Sequence, residues 1–409
     1  MTSQQRLLTG NALLLRLESH FMRSSVTPLT LLALALGVLM MRGPVTGVGA
    51  VAQPLCEALG IGYATYGFIS ALPIACFGVC CAAVPSAARA LGIGRLIGLC
   101  FALIFLGSLL RLVFNFPLFS IATVFIGIGI AFLNALMPVV LRHLFASDVA
   151  FVMGVFTGLI GFSGSIGAYF SVPVMEMFGS VRAPLALWVL WSVMTLALWI
   201  VARKPNNIKI MPVTVDWYLL TRPITWAVIF VMSMQSLTIY TTVAWLPTLL
   251  IDQGMTASEA GLGSAIFLLV SAPASILTSR YIRLCRSERT ASLIMTVSFA
   301  IGIILWSAGG PLSYLGCVLA GIPQGITFSM AMILMAKKSS DLNQLLLISS
   351  LAQGIGYLIA GLGPFICGLL YNPANPWPIL SFMLAAVCLW GTSALYAFGN
   401  QPLFVKKSS

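Results

Sequence analysis

The sequence predicts an all-α integral membrane protein with twelve transmembrane helices in two pseudo-symmetric six-helix halves. The first supporting observation is composition: 60% of the 409 residues are hydrophobic and 7% are charged, whereas a soluble domain is about 25% charged. The second is a series of twelve apolar runs, each long enough for an α-helix to cross the bilayer. The third is a set of residues in the second half of the chain that repeats a set in the first.

The composition excludes several classes of protein. With a mean hydropathy of +1.04, the chain cannot cover a water-facing surface, so it is not a soluble enzyme, a disordered protein or a secreted disulfide scaffold. No ten-residue alternation typical of β-barrel strands occurs. The formal net charge of +12 would suggest a nucleic-acid partner in a soluble chain. Here the basic residues lie between the apolar runs, so we expect the lipid bilayer as partner and no nucleic acid.

Residues 1–27 precede the first apolar run. That run begins at Leu29 and is too long for a cleaved signal peptide. Leucines within residues 7–17, flanked by Arg6 and Arg16, allow a short interfacial helix. A cytoplasmic extension without such a helix is the alternative.

The apolar runs predict spans 1 to 12 in chain order. They cover residues 29–55, 63–85, 95–114, 117–141, 150–173, 184–202, 224–248, 259–282, 290–308, 312–336, 343–370 and 378–398. We therefore expect a cytoplasmic N-terminal extension at 1–27, six-helix halves at 28–202 and 223–399, a cytoplasmic central loop at 203–222 and a cytoplasmic tail at 400–409.

The basic residues predict the orientation of the spans. All of the 21 lysines and arginines except Arg42, Arg111 and Arg182 lie on one side of the predicted helices. By the positive-inside rule that side is cytoplasmic, and both termini lie there. We expect a multi-pass protein of the inner (plasma) membrane.

An internal repeat relates the two halves. An offset of 194 residues aligns Gly67 with Gly261, Arg89 with Arg283, Gly127 with Gly321 and Gly167 with Gly361. The aligned positions fall at corresponding places in the two sets of spans. Duplicated six-helix halves around a central cytoplasmic loop are typical of the major facilitator fold.

Four segments resemble one family within that fold. They are Met41-Arg42-Gly43-Pro44-Val45-Thr46-Gly47-Val48-Gly49, Asn134-Ala135-Leu136-Met137-Pro138, Ala244-Trp245-Leu246-Pro247 and Gln353 to Pro364. Together they resemble the cyanate porter and nitroimidazole transporter family of the major facilitator superfamily. Pro44 departs from the family pattern, in which proline directly follows the arginine. The resemblance implies a transporter of a small solute, cyanate or a related anion.

Arg42 lies about 13 residues into span 1, near the middle of the membrane. An arginine at that depth costs about 2.5–3.5 kcal/mol and does not deprotonate, so it needs a partner. The acidic residues are at outer helix ends (Glu57, Glu176, Asp252, Glu259) or on the cytoplasmic side (Glu18, Asp148, Asp216, Glu288, Asp341). An anionic substrate is the predicted partner; helix-end carbonyls and water around a structural arginine are the alternative.

Other polar residues extend the candidate substrate site. We expect Asn134, Gln235, Tyr240, Gln324, Gln353 and Tyr357 to contribute to it, with Arg111 as a second cation. Gln353 and Tyr357 share one helix face because they are four residues apart. The alternatives are hydrogen bonds between helices for the neutral residues and an Arg111 side chain extended to the lipid headgroups. Trp245 is a predicted gate residue, or else an aromatic anchor at the membrane surface.

A secondary active or facilitated transporter working by alternating access fits these features. An intramembrane enzyme would need a nucleophile, base or metal set at depth, and the sequence offers none; we expect no cofactor and no metal. A channel is disfavoured by the duplicated plan. The absence of acidic residues inside the bundle favours anion uniport or exchange over a proton relay. We expect a monomer; export of small neutral or weakly acidic organic compounds is the alternative function.

Overall fold

The computed structural model describes residues 28–81, 83–145, 149–202, 217–339 and 342–399. Within those ranges all regular structure is helical. In the described part of the chain, twelve helices are long and apolar enough to cross a membrane, which confirms the predicted fold class. The N-terminal extension, residues 203–216 of the central loop and the tail lie outside the described residues. The boundaries of the two halves stay predictions.

The helices follow the predicted spans closely. Span 1 consists of Pro28–Leu39, Gly43–Ala50 and Ala52–Leu59; spans 2 to 6 are Tyr63–Cys81, Ile93–Leu110, Phe116–Leu144, Val149–Phe178 and Arg182–Val201; spans 7 to 12 are Pro223–Asp252, Ala257–Leu284, Glu288–Leu305, Gly310–Lys338, Leu342–Leu370 and Trp377–Ala397. Short helices at Val84–Leu91, Trp217–Thr221 and Trp306–Ala308 lie between spans or at their ends.

Two predicted helices are interrupted. The prediction of one continuous span 1 over 29–55 is wrong, because the helix breaks at residues 40–42 and again at Val51. Pro44, which has no amide hydrogen, lies in the first turn of the middle piece. Span 2 ends at Cys81 instead of residue 85. The next short helix begins at Val84 and has Pro85 in its first turn, where a proline is favoured because its missing N–H has no helical partner.

The sequence repeat is visible as equivalent packing in the two halves. A Cβ atom at Gly127 of span 4 would lie 2.8 Å from Cα of Pro73 in span 2. At Gly321 of span 10 it would lie 3.1 Å from Cα of Phe267 in span 8. Both pairs are related by the same 194-residue offset, so glycine allows the same close helix approach in each half.

The halves meet through pairs of spans that the pseudo-symmetry relates. Span 2 packs on span 11, span 5 packs on span 8, and span 1 contacts span 7. Glycines again permit the approach: a Cβ at Gly67 would lie 2.6 Å from the Pro364 carbonyl, and one at Gly261 would lie 2.9 Å from the Ala168 carbonyl. These contacts lie towards the ends of the spans joined by loops 60–62 and 253–256, which we call the outer end.

Side chains larger than glycine at these helix contacts should destabilise the protein. Gly127→Val and Gly321→Val should each lower the free energy of unfolding by about 1–3 kcal/mol, the usual cost of overpacking. SDS titration in mixed micelles measures the change. Gly158→Val is the matched control, since a Cβ at Gly158 in span 5 meets nothing within 4 Å. Equal losses at all three positions would contradict the packing described here.

Candidate functional site

Arg42 lies at the break in span 1. It directly precedes the helix Gly43–Ala50, with φ −128° and ψ −41°. Span 5 packs on this break: Gly43 N–H donates to Oγ of Ser163 at 2.9 Å, and the same hydroxyl donates to the Leu39 carbonyl. Thr46 Oγ1 donates to the Gly164 carbonyl at 2.9 Å. The break is therefore held by side-chain hydrogen bonds between two spans.

The guanidinium of Arg42 points at an aromatic ring of the other half. Its Cζ lies 5.2 Å from the ring centroid of Tyr240 in span 7. Nη1 is buried and has no hydrogen-bond partner, and Arg42 forms no salt bridge with any residue that the structure describes. A cation–π contact contributes about 0.5–2 kcal/mol, less than the cost of an arginine at this depth. The charge is left without a full partner.

Tyr240 belongs to an aromatic cluster formed by three spans. Its ring centroid lies 5.8 Å from that of Phe77 in span 2 and 6.2 Å from that of Tyr357 in span 11. Phe77 and Tyr357 are 5.6 Å apart in a T-shaped arrangement. The structure thus places the predicted residues Arg42, Tyr240 and Tyr357 around one point between the halves. Phe77 was not predicted, because a phenylalanine inside an apolar run carries no distinguishing signal.

Gln235 and Gln324 are buried and bind each other. Nε2 of Gln324 donates to the Gln235 carbonyl at 3.3 Å, and Thr238 Oγ1 donates to Gln324 Oε1 at 3.2 Å. Ser236 Oγ donates to Gln235 Oε1 at 3.1 Å. These contacts join spans 7 and 10. In this structure the two glutamines therefore make hydrogen bonds between helices, which was the alternative to substrate contact. Thr238 was missed because a threonine in a membrane helix usually bonds its own backbone.

Gln353 and Asn134 do not join the cluster around Arg42. Gln353 is half-buried and its Nε2 donates to Oγ of Ser349, one turn earlier in span 11, at 2.8 Å. Asn134 in span 4 is half-buried as well. Neither has a hydrogen bond or ring contact with Arg42 or Tyr240 in the described ranges.

Arg111 is a second buried cation, and each of its three nitrogens donates a hydrogen bond. Its side chain is 4% exposed, so the alternative of extension to the headgroups is wrong. Nη1 donates to the Pro44 carbonyl at 2.8 Å, while Nε and Nη2 donate to Thr123 Oγ1 at 3.2 and 3.0 Å. Arg111 and Tyr240 both line a cavity of about 20 Å³, which is room for about one water molecule.

Trp245 closes the outer end above Tyr240. The side chain is 0% exposed, which excludes a membrane-surface anchor, and its Nε1 donates to the Pro364 carbonyl at 3.0 Å. The ring lies 5.5 Å from that of Tyr66 in span 2 and 5.3 Å from that of Tyr371 after span 11. Tyr66 also donates to the Ala244 carbonyl across the halves at 3.0 Å.

Tyr371 extends this closure to the end of span 7. Its hydroxyl donates to Asp252 Oδ1 at 3.2 Å. Burial and the negative charge of Asp252 both raise the pKa of Tyr371. The hydroxyl therefore keeps its proton and remains a donor at neutral pH, so the bond to Asp252 persists.

A duplicated twelve-helix bundle with a site between its halves is the plan of one large group of transporters. The sequence model of the Major Facilitator Superfamily matches residues 34–364. The chain belongs to the Major Facilitator Superfamily. It is a multi-pass membrane transporter of a small molecule, as the sequence predicted.

Three bacterial relatives match along almost the whole chain. The uncharacterized transporter YycB of Bacillus subtilis (strain 168) is 25% identical over 89% of this chain and 92% of its own. The 2-nitroimidazole transporter of Escherichia coli (strain K12) is 24% identical, over 85% and 90%. The cyanate transport protein CynX of the same organism is 24% identical, over 88% and 94%. The resemblance drawn from the sequence segments is confirmed at this level.

Solved structures share the fold of this transporter. A bacterial homologue of the human lysosomal transporter Spinster, in an inward-facing and unoccupied conformation, has a TM-score of 0.72 at 16% identity, covering 90% of this chain and 95% of its own. The D-xylose-proton symporter has a TM-score of 0.73 at 14% identity, covering 91% and 97%.

The hydrogen bonds of Arg111 predict that its loss destabilises the fold. Arg111→Met should lower the free energy of unfolding by about 3 kcal/mol, because it leaves the Pro44 carbonyl without its buried donor and removes both bonds to Thr123. SDS titration in mixed micelles measures the loss.

Arg182→Met is the control for this substitution. Arg182 is exposed, and its Cζ lies 4.9 Å from the ring centroid of Phe114, so the change should cost less than about 1 kcal/mol. An Arg111→Met protein as stable as the Arg182→Met protein would show that the hydrogen bonds of Arg111 do not stabilise the fold.

Proposed function

We propose that this transporter carries a small monovalent anion, cyanate or a small organic anion, bound between the halves by Arg42. The observation that carries the proposal is the buried Nη1 of Arg42, which has no hydrogen-bond partner. A planar guanidinium donates hydrogen bonds in fixed directions and binds small anions such as carboxylates. A bound anion would supply the negative charge that no described carboxylate provides beside Arg42.

Electrostatics support an anion at this position. At about 4 Å and an effective dielectric constant near 20, a pair of opposite charges is worth about 4 kcal/mol. That attraction, counted before the desolvation of the anion, is similar in size to the cost of about 2.5–3.5 kcal/mol of placing Arg42 at membrane depth. An anion at this position therefore offsets the burial of the arginine.

The contacts between the halves support alternating access with the outer end closed. Trp245, Tyr66 and Tyr371 pack together at that end, and Ser165 Oγ donates across the halves to the Ala265 carbonyl at 3.2 Å. We propose that Trp245 acts as the outer gate. The substrate then reaches Arg42 from the side of the basic loops, which we propose to be the cytoplasmic side of the inner (plasma) membrane.

The remaining polar residues are proposed to shape specificity. The Tyr240 ring lies beside the guanidinium and Tyr357 packs on that ring. Gln235 in span 7 and Gln324 in span 10 form a hydrogen-bonded pair. Asn134 and Gln353 are proposed to reach the substrate in another state of the cycle. We propose that Arg111 acts from the adjacent cavity by attracting anions towards the site, and that the carrier works as a monomer.

The aromatic cluster supports one alternative substrate class. Phe77 and Tyr357 pack on Tyr240, the ring that Arg42 contacts, a setting that accepts a flat, weakly acidic ring as well as an anion. The match to a 2-nitroimidazole transporter favours the same class. Export of small neutral or weakly acidic organic compounds is therefore the second candidate function.

Neutralising Arg42 tests the proposal. In proteoliposomes, Arg42→Gln should reduce the uptake of radiolabelled cyanate at least about a hundredfold, the effect of losing a charged hydrogen-bonding partner. Arg182→Gln removes the same charge from an exposed position and should leave uptake unchanged. Full cyanate uptake by Arg42→Gln would contradict the site assignment.

The ring of Tyr240 gives a second prediction. Tyr240→Phe keeps the ring beside Arg42 and should retain cyanate uptake within about threefold, whereas Tyr240→Leu removes the cation–π contact and should lower the affinity about tenfold. Initial rates over a range of cyanate concentrations separate the two. Equal affinity in the phenylalanine and leucine proteins would show that the ring plays no part.

A further inference from the structure

The hydroxyl of Ser163 stands where a helix hydrogen bond is missing. Leu39 and Gly43 are four residues apart, so in a continuous α-helix the Gly43 N–H would donate to the Leu39 carbonyl. In span 1 the Gly43 N–H donates instead to Ser163 Oγ at 2.9 Å, and that hydroxyl donates to the Leu39 carbonyl. A side chain from span 5 is inserted into the hydrogen-bond ladder of span 1.

We infer that Ser163 is a positioning residue for Arg42. A polar group inserted into the ladder bends or breaks a helix at that point. Arg42 lies between the two residues that Ser163 separates, and its φ of −128° is far from the helical value of about −63°. By holding Leu39 and Gly43 apart, Ser163 directs the guanidinium across the interface to Tyr240. This inference rests on the proposed role of Arg42 in binding the substrate.

Pro44 does not account for the break alone. A proline at position 44 leaves the carbonyl of Met40 without its helical donor, but it does not prevent the bond from Gly43 to Leu39. That bond is the one Ser163 replaces. With the hydroxyl removed, both backbone groups lose their partner in a buried site, and the simplest way to satisfy them is to bond each other. Span 1 then keeps the kink that the Pro44 ring imposes at the Met40 carbonyl, but no hydroxyl holds Leu39 and Gly43 apart, and Arg42 shifts from its present position.

The surface of span 5 beside Ser163 fits this role. A Cβ at Gly164 would lie 2.9 Å from Cγ of Arg42, and one at Gly167 would lie 2.6 Å from the Gly43 carbonyl. The small residues bring span 5 close enough for a short serine side chain to reach the backbone of span 1. The Trp188 ring of span 6 fills the space that a side chain at position 43 would occupy. The broken segment therefore packs against both span 5 and span 6.

The chain offers a matched control. Ser171 lies on the same span, is buried, and donates to the Gly167 carbonyl of its own helix at 2.7 Å. Ser163→Ala and Ser171→Ala each remove one buried hydroxyl from span 5. Only the first removes a hydrogen bond to span 1.

The first readout is transport by the full-length protein in proteoliposomes. Ser163→Ala should raise the KM for cyanate about tenfold with the maximal rate kept within about twofold, and Ser171→Ala should match the wild type. Ser163→Thr retains the hydroxyl and should restore the KM. A Ser163→Ala protein with the wild-type KM would overturn the inference, and so would an equal rise in Ser171→Ala.

The second readout is the structure of the Ser163→Ala protein in nanodiscs by electron cryo-microscopy. We expect a direct hydrogen bond from Gly43 N–H to the Leu39 carbonyl and an Arg42 guanidinium no longer over Tyr240. An unmoved guanidinium would overturn the inference, whatever the KM. If the wild type carries no cyanate, the proposed substrate fails, and the position of Arg42 in the two structures alone decides the role of Ser163.

Discussion

The interface between the halves depends on one cation placed at membrane depth without a full partner. A guanidinium cannot lose its proton there, so the surrounding protein must either supply hydrogen-bond acceptors or leave room for a solute that does. Around Arg42 the described residues supply the ring of Tyr240 and no carboxylate. Three features place this charge between the two halves. They are the break in span 1, the small residues of span 5 and the aromatic cluster of spans 2, 7 and 11.

A second buried arginine shows how groups of the protein itself can bind such a cation. Arg111 makes three hydrogen bonds to Thr123 and Pro44, which fix span 3 to spans 1 and 4. Arg42 has the same chemistry, but its Nη1 is left open. The bonded arginine holds the wall of the site by binding the carbonyl of Pro44, two residues beyond Arg42. The difference between the two lies in their partners and not in their depth.

The fold was predictable because its signals, the long apolar runs, the basic loops and the repeat, can be read directly from the order of the residues. The break in span 1 was not, because at that point the Gly43 N–H donates to a hydroxyl of Ser163, 120 residues further along the chain. For the same reason the sequence grouped Gln235 and Gln324 with Arg42, although they bond each other. It also gave no sign that a neutral residue, Thr123, satisfies Arg111. Which polar groups pair is decided by packing between distant spans.

The central claim is that the charge on Arg42 is neutralised by the transported solute. Uptake of a panel of small anions and of 2-nitroimidazole into proteoliposomes, under imposed membrane potentials of both signs, tests it most directly. We expect saturable uptake of one small anion whose rate changes in opposite directions with the two potentials, since net negative charge moves with the solute. Uptake of 2-nitroimidazole alone, with no anion carried at either potential, would contradict the claim.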